Sequence, residues 1–236
     1  MDATATRARN DIAQYDDLVD HWWRPDGEFA ALHWLARARG ALVPPATRPG
    51  ALLVDVACGG GLLAPHVAAY RHVGIDLAHS ALAVARGHGV EPVRGDAHAL
   101  PLPDGCADVV AAGEVFEHVT DLPTVVAEVC RVLAPGGTVV CDTINATWWA
   151  RFSLVRVGER LPGGPPLHCH DPALFVDPAR LIALFAGHGV ALRVHGLRPA
   201  GREYLGFLRD RTRGVRMLRT SSLAAVYAGV GTKAAP

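Results

Sequence analysis

A glycine turn directly behind a short apolar run constrains this chain more than any other feature. The run Leu52–Val56 has the length of a buried strand, and Gly59, Gly60 and Gly61 follow it after two residues. Glycines at such a place let the backbone approach a ligand closely, and the N-terminus of a following helix offers unpaired N–H groups. We expect that helix to carry Leu62, Leu63, Val67 and Ala68. The pattern predicts a strand, a glycine turn and a helix that together bind a ligand.

Short apolar runs alternate with amphipathic stretches over about residues 50 to 144. The further strands predicted there are Val73–Leu77, Pro92–Arg94, Ala107–Ala112 and Thr138–Ile144, with helices at His79–His88 and Leu122–Leu133. A helix at Pro178–His188, a strand at Val190–His195 and an apolar run at Leu223–Val230 complete the series. Strands separated by helices of this length imply right-handed crossovers and a parallel sheet. The fold class is therefore predicted as α/β, doubly wound.

Two regions depart from this rhythm. Residues 1–49 show a helical pattern ahead of the sheet and are predicted to form an N-terminal cap. Residues 145–177 are rich in Pro and Gly and too long for a plain connector, which is typical of a lid-like insertion. We expect the cap and the domain of residues 50–236 to form one globular unit.

Three acids stand at or just after the ends of successive predicted strands. Asp55 precedes the glycines, where it would repel a pyrophosphate and attract an amino group. Asp76, with Leu77 beside it, can accept hydrogen bonds from both hydroxyls of a ribose. Asp96 can accept from an adenine amino group, with the Ala97 N–H on the ring. These acids favour S-adenosylmethionine (SAM), although the spacing from Gly59 and Gly61 to Ala64 also fits a dinucleotide fingerprint and single acids often cap turns.

Several motifs resemble those of class I SAM-dependent methyltransferases: VDVACGGGLLA, GIDLA, GDAHALPLPDGCADVV and RVLAPGGTVV. The chain more narrowly resembles the ubiquinone-biosynthesis O-methyltransferase family, through HWWRPDGEFAALH, GEVFEHV, TINATWW, HDPALFVDPARL and SSLAAVYAGVG. The resemblance implies a Rossmann-like sheet of seven strands with the last one antiparallel. It also implies cofactor contacts from Arg39 to the methionine carboxylate, from Gly59 at the glycine turn, from Asp76 to the ribose and from Gly113 near the tail.

The acceptor chemistry is predicted to lie in the stretch after the fourth strand. If this stretch is helical, Glu114, Glu117 and His118 share one face at i, i+3 and i+4. Two carboxylates and an imidazole can bind a divalent cation that chelates neighbouring oxygens of a catechol-like acceptor and lowers the pKa of its phenol. The resemblance implies the same three residues as ligands of Mg²⁺, since the matching residues are regarded as such in some members.

Other interpretations of these residues stay open. The two glutamates can instead cap a helix start, and His118 can act as a base without a metal, with Glu117 beside it. His170 is the next candidate base. The run from His168 through Cys169 to His170 also suggests a zinc site, although such spacing in a Pro-rich loop is often incidental.

The charges and the cysteines limit which partners the chain is expected to bind and which cellular compartment it suits. The 23 basic and 23 acidic residues cancel, which argues against a nucleic-acid binder, but residues 193–236 alone carry nine basic and two acidic side chains. That excess, together with the apolar stretch Trp148–Leu154, allows a peripheral contact with an anionic membrane. Five scattered cysteines without a CxxC pair predict a reduced, cytoplasmic protein, and no signal peptide or membrane span is evident. The oligomeric state is open.

The function predicted from these features is SAM-dependent methylation of a hydroxyl on a phenolic or catechol-like small molecule, a quinone precursor or a related aromatic metabolite. One alternative is a secondary-metabolite methyltransferase acting on another hydroxyl or on an amine. Another is a SAM-binding protein without catalysis. A nucleotide-dependent dehydrogenase is supported only by the glycine spacing.

Overall fold

The computed structural model describes residues 8–235 as a mixed sheet of eight strands with helices on both sides. The strands are β1 (Leu52–Val56), β2 (Arg71–Asp76), β3 (Glu91–Arg94), β4 (Ala107–Gly113), β5 (Leu133–Ile144), β6 (Val190–Pro199), β7 (Met217–Thr220) and β8 (Val226–Lys233). The α-helices are α1 (Gln14–Asp17), α2 (Ala30–Gly40), α3 (His79–Gly87), α4 (Leu122–Val132), α5 (Trp148–Ala150), α6 (Pro178–Gly187) and α7 (Gly201–Arg209). None of the helices described over residues 8–235 is long and apolar enough to cross a membrane.

The strand order is β3-β2-β1-β4-β5-β8-β6-β7. Strands β1 to β5 pair in parallel, and β8 pairs antiparallel with both β5 and β6. The α/β prediction and the antiparallel last strand are confirmed, but the sheet has one strand more than the seven expected. The addition is β7, which pairs antiparallel with Gly196–Pro199. It forms because β6 continues four residues beyond the predicted end at His195 and offers a free edge.

The core between the sheet and helices α4 and α6 follows from the apolar pattern. Strand β4 is almost entirely buried, and α4 covers it with Val125, Val129 and Val132. The Asp121 side chain accepts a hydrogen bond from the Thr124 N–H at the start of α4, which satisfies one of the unpaired donors there. This packing fixes the carboxyl ends of the strands, where the candidate residues stand.

The helix expected directly behind the glycine turn does not form. Only a 3-10 turn over Ala64–His66 follows Gly61, and β2 already begins at Arg71. The connection is therefore too short for a crossover helix lying on the sheet. Leu63 and Val67 are still buried, against Leu53 and Val109 of the sheet. Ala68, by contrast, is exposed, and the predicted helix is wrong.

Residues ahead of β1 and the insertion after β5 pack against each other and against the sheet. Leu35 of α2 contacts a cluster that includes Ile144 at the end of β5 and Val155 of the insertion. The insertion continues α5 as π-helical turns over Arg151–Val157 before it becomes irregular. The predicted lid region thus contains one short helical stretch, which covers the carboxyl end of the sheet.

Candidate active site

One cavity of about 650 Å³ lies at the carboxyl ends of the parallel strands. Eleven of the predicted site residues line it: Arg39, Asp55, Gly59, Asp76, Leu77, Asp96, Ala97, Gly113, Glu114, His118 and His170. Gly61 instead faces Ala85 and Val90, and Glu117 is fully buried behind the cavity wall. The place agrees with the rule that open α/β sheets bind ligands outside the carboxyl ends of their strands.

The glycine turn is held from inside the protein. The Gly59 N–H donates to Asp76 Oδ2 at 2.8 Å, and the backbone of Gly59 has a φ of +51°. A Cβ atom there would come within 2.4 Å of the Trp22 ring, which lies across the turn. Glycine is therefore required both by the backbone conformation and by the approach of Trp22. The sequence pattern did not reveal this aromatic cover.

The acids near the turn are tied to neighbouring groups. Asp76 Oδ1 accepts from the Ala78 N–H at 2.8 Å, and burial raises the pKa of Asp76 despite these backbone bonds. The buried Asp55 lies 3.3 Å from Nε2 of His72. Asp96 accepts from the backbone and ring of His98, which lowers its pKa. Each carboxylate keeps lone pairs for further donors, so this set of acceptors fits an adenosine that carries a cationic amino-acid tail.

A buried ion pair joins Arg39 of α2 to Asp142 of β5. Arg39 donates from Nε and Nη2 to the two carboxylate oxygens of Asp142, at 2.6 and 2.9 Å. Burial opposes the charge on Arg39, but Asp142, with Asp55 and Glu114, more than offsets this effect, and the net pKa of Arg39 is raised. A Cβ atom at position 113 would stand 1.7 Å from Cζ of Arg39, so Gly113 makes room for the guanidinium. The sequence analysis did not identify Asp142.

The acceptor side differs from the helical arrangement expected for residues 114–118. Glu114 has a φ of +52°, and only Phe116–His118 form a 3-10 turn, so the shared helical face does not exist. The structure brings Glu114 and Glu117 together with His170 of the insertion, with one donor atom from each within 4.8 Å of the others. Glu114 Oε1, Glu117 Oε1 and His170 Nδ1 are buried without a hydrogen-bond partner.

Three unsatisfied polar atoms in one small volume are costly in a folded chain. Burial raises the pKa of both glutamates, and their mutual repulsion adds to the shift at Glu114. The second oxygen of Glu117 accepts a hydrogen bond from the Thr143 hydroxyl at 2.7 Å. A divalent cation would satisfy the unpaired oxygens and the imidazole nitrogen together, so the residues present fit one.

His118 belongs to a second set of contacts. Asn10 Nδ2 donates to the His118 carbonyl at 2.9 Å, so the Asn10 Oδ1 that lies 2.5 Å from His118 Nδ1 is the acceptor. His118 therefore carries its proton on Nδ1 and keeps the Nε2 lone pair free. Burial lowers the pKa of His118 to about 4, so the ring is neutral at ordinary pH. It stacks on His170 with 5.1 Å between ring centroids.

The N-terminal segment holds the insertion beside this histidine pair. Arg9 Nη1 donates to Oε1 of Glu159 at 3.0 Å and to the carbonyl of His170 at 2.8 Å. The Asn10 N–H donates to the carbonyl of His168 at 3.0 Å. Neither Arg9 nor Asn10 was identified from the sequence, because a polar pair near a chain terminus carries no local signal.

Comparison with known proteins relates the chain to methyltransferases. Residues 54–141 match the model of a methyltransferase domain. The ubiquinone biosynthesis O-methyltransferase of Aeromonas salmonicida is 31% identical over 211 residues, covering 82% of this chain and 86% of that protein. The protein of the same name from Thiobacillus denitrificans is 36% identical over 182 residues, covering 72% and 78%.

Solved structures support the fold. A SAM-dependent methyltransferase of Thermotoga maritima superimposes with a TM-score of 0.65 at 17% identity, covering 93% of this chain and 96% of that one. The [4+2]-cyclase SpnF superimposes with a TM-score of 0.61 at 17% identity, covering 98% of each chain. Because a cyclase shares the architecture, the fold by itself does not define the reaction.

The sheet order and the residues at its carboxyl edge define a class I SAM-dependent methyltransferase. The sequence relationships narrow this further, and the chain belongs to the family of ubiquinone biosynthesis O-methyltransferases. It is a SAM-dependent enzyme that methylates a hydroxyl of a phenolic small molecule.

Proposed function

We propose that the acceptor is an aromatic quinone precursor with two neighbouring oxygens, bound through a divalent cation such as Mg²⁺. The observation that carries this proposal is the set of unpartnered donor atoms on Glu114, Glu117 and His170. A cation at that point would face the cavity through Glu114 and His170, which both line it. Two vicinal oxygens of an acceptor can then complete its coordination.

In this proposal, the carboxylates and the buried ion pair contact different parts of the cofactor. Asp55, Asp76 and Asp96 line the half of the cavity proposed for the cofactor. Arg39 also lines the cavity, and we propose that it contacts the methionine carboxylate. When bound, SAM supplies a methyl group that is already activated on a sulfonium. The chain therefore has to align an acceptor oxygen with that methyl group and handle the proton of the hydroxyl.

His118 is the proposed acceptor of that proton. Its Nε2 lone pair is free because Asn10 fixes the proton on Nδ1. Its lowered pKa makes it a weak base for an ordinary phenol. A cation that lowers the pKa of the phenol would match the acceptor to this base. The pairing explains why a buried histidine and a cation-binding cluster stand side by side.

Methyl transfer to a catechol and to a monohydroxy phenol tests the proposal. We expect the catechol to be the better acceptor, and we expect chelator to abolish the reaction and Mg²⁺ to restore it. Glu114→Gln should lose the response to Mg²⁺, whereas Glu91→Gln, at an exposed carboxylate paired with Arg71, should keep it. Chelator-insensitive turnover of the catechol would refute the role of the cation and leave His118 as a metal-free base.

The insertion also supports a peripheral membrane contact, which we propose as the route for apolar acceptors. Trp148, Trp149 and Phe152 are exposed by 72%, 49% and 42%, and the rings of Trp148 and Phe152 stack. Arg151 and Arg156 stand in the same stretch. Aromatic rings beside arginines suit the interface of an anionic bilayer.

Cosedimentation with vesicles tests this contact. We expect binding to vesicles that contain an anionic phospholipid, weaker binding to purely zwitterionic vesicles, and loss of binding in the double variant Trp148→Ser with Phe152→Ser. Methyl transfer to a water-soluble catechol should survive in that variant. Equal binding of the variant and the unchanged protein would contradict the proposal.

A further inference from the structure

A second cluster of ligand atoms lies next to the carboxylate pair. One donor atom each from His118, Cys169 and His170 lie within 4.8 Å of one another. Cys169 and His170 are 4% exposed, and all three residues line the main cavity. His118 and His170 have roles in the proposed methyl transfer, whereas the Cys169 thiol has none.

One of the two histidines already has the outer partner that metal ligands usually have. Histidines that bind metals almost always donate their other ring N–H to an oxygen, which fixes the tautomer. His118 does so through Nδ1 to Asn10 Oδ1, which leaves Nε2 as the ligand atom. His170 is buried and its Nδ1 has no hydrogen-bond partner. His118 thus offers a free lone pair, and His170 brings a ring nitrogen that no group of the described chain satisfies.

The geometry requires only a small adjustment to hold an ion. Bond lengths of about 2.3 Å to sulfur and about 2.0 Å to nitrogen place the donors of a tetrahedral zinc site roughly 3.5 Å apart. The donor atoms lie within 4.8 Å of one another, so they would have to approach by no more than about 1.3 Å to reach that spacing. The Tyr15 hydroxyl oxygen lies 3.5 Å from Sγ of Cys169.

We propose that His118, Cys169 and His170 form a binding site for a thiophilic divalent cation, of which Zn²⁺ is the representative. Thiolate and imidazole ligands select Zn²⁺ over Mg²⁺, whereas the neighbouring carboxylates favour the harder ion. Binding releases the thiol proton of Cys169 to solvent and forms one metal–sulfur and two metal–nitrogen bonds. Three protein ligands leave the fourth position open to the cavity.

An ion in this cluster has a consequence for the enzyme. An ion bound by His118 and Cys169 occupies the lone pair of the proposed base. Zn²⁺ should therefore inhibit methyl transfer. This consequence rests on the proposed function, whereas the binding site itself does not.

Cobalt substitution tests the site without an activity assay. The chain is freed of metal with a chelator and titrated with Co²⁺, whose bond to a thiolate gives a charge-transfer absorption in the near ultraviolet. We expect this absorption in the unchanged protein and in Glu114→Gln, and its loss in Cys169→Ser. Cys106→Ser is the matched control, since this partly exposed thiol lies outside the cluster, and it should keep the absorption.

Zinc affinity, measured by competition with a chromogenic chelator, separates the two clusters. Loss of an outer partner of a metal ligand typically costs about 10- to 100-fold in affinity, so removal of a ligand itself should cost at least about 100-fold. We expect that loss in Cys169→Ser and in His118→Asn, each checked for an unchanged circular dichroism spectrum.

Absence of the thiolate absorption in the unchanged protein, or its persistence in Cys169→Ser, would overturn the site. A zinc affinity that falls only in Glu114→Gln would assign the ion to the carboxylates instead. If chelator leaves catechol methylation untouched while the thiolate absorption depends on Cys169, the proposed function fails and this site stands.

Discussion

The carboxylates in the two halves of the cavity differ in whether their oxygens have hydrogen-bond partners. On the cofactor side, Asp76 accepts from two backbone N–H groups, and Asp55 contacts His72. On the acceptor side, Glu114 and Glu117 are each left with a buried oxygen that has no partner. The carboxylates of the first half have partners within the chain and keep lone pairs for further donors, whereas the second half leaves carboxylate oxygens unpaired. The difference suggests that the chain prepares one half for a ligand with many hydrogen-bond donors and the other for a cation.

Breaking the buried ion pair of Arg39 and Asp142 should have the largest effect on stability. Arg39→Met leaves the fully buried Asp142 without its partner, and we expect a loss of about 3–5 kcal/mol in the free energy of unfolding. Denaturant titration measures this loss. The double variant Arg39→Met with Asp142→Leu should recover most of that stability. A single variant nearly as stable as the unchanged chain would show that the buried Asp142 does not depend on Arg39.

Mg²⁺ should stabilise the acceptor half next most strongly. At a concentration about 100 times its dissociation constant, a ligand that binds only the folded chain adds about 2.7 kcal/mol. We expect a corresponding rise in the melting temperature of the unchanged protein and none in Glu117→Gln. Differential scanning calorimetry with and without chelator measures both. Equal rises in the two proteins would place the cation outside the cluster of Glu114, Glu117 and His170.

Removing one carboxylate charge from each half compares how much each charge contributes to the free energy of unfolding. Asp76→Asn replaces an oxygen that accepts a backbone N–H, and we expect a loss of about 1–2 kcal/mol. Glu114→Gln removes a carboxylate that lies close to Glu117 and whose Oε1 has no hydrogen-bond partner. Without metal, this variant should therefore be no less stable than the unchanged protein. Denaturant titrations in the presence of chelator measure the pair. A greater loss in Glu114→Gln than in Asp76→Asn would reverse the comparison.

The smallest effect is expected at Asn10. Asn10→Ala removes two hydrogen bonds with His118, which should cost about 1 kcal/mol or less at this partly exposed site. The more specific readout is the tautomer of His118, followed through its ring nitrogens by NMR. We expect the Nδ1–H form in the unchanged protein and a mixture in the variant. The same mixture in both would show that Asn10 does not set the tautomer.

The sequence predicted the cofactor half better than the acceptor half, for a physical reason. Asp55 and Asp76 lie within apolar runs whose length marks them as parallel strands, so their shared edge follows from topology. The helix behind Gly61 was wrong because its existence depends on where the next strand begins. Periodicity alone does not fix that boundary.

The acceptor half depends on contacts between distant parts of the chain. His170 was identified as a candidate base, but its approach to Glu114 comes from an irregular insertion that no repeat pattern describes. No sequence pattern indicated a role for Asn10. The sequence did contain a pattern that indicates Asp142, because a single acid in the apolar run Val139–Ile144 requires a buried partner.

The buried pair of Arg39 and Asp142 also constrains how this family can change over generations. The two residues lie 103 positions apart in the chain, one on α2 and the other on β5. Because either one alone leaves an unpaired charge inside the protein, a lineage that loses one of them should soon lose or replace the other. Relatives should accordingly carry both residues or neither, and such correlated replacement would be visible between two segments that share no local motif.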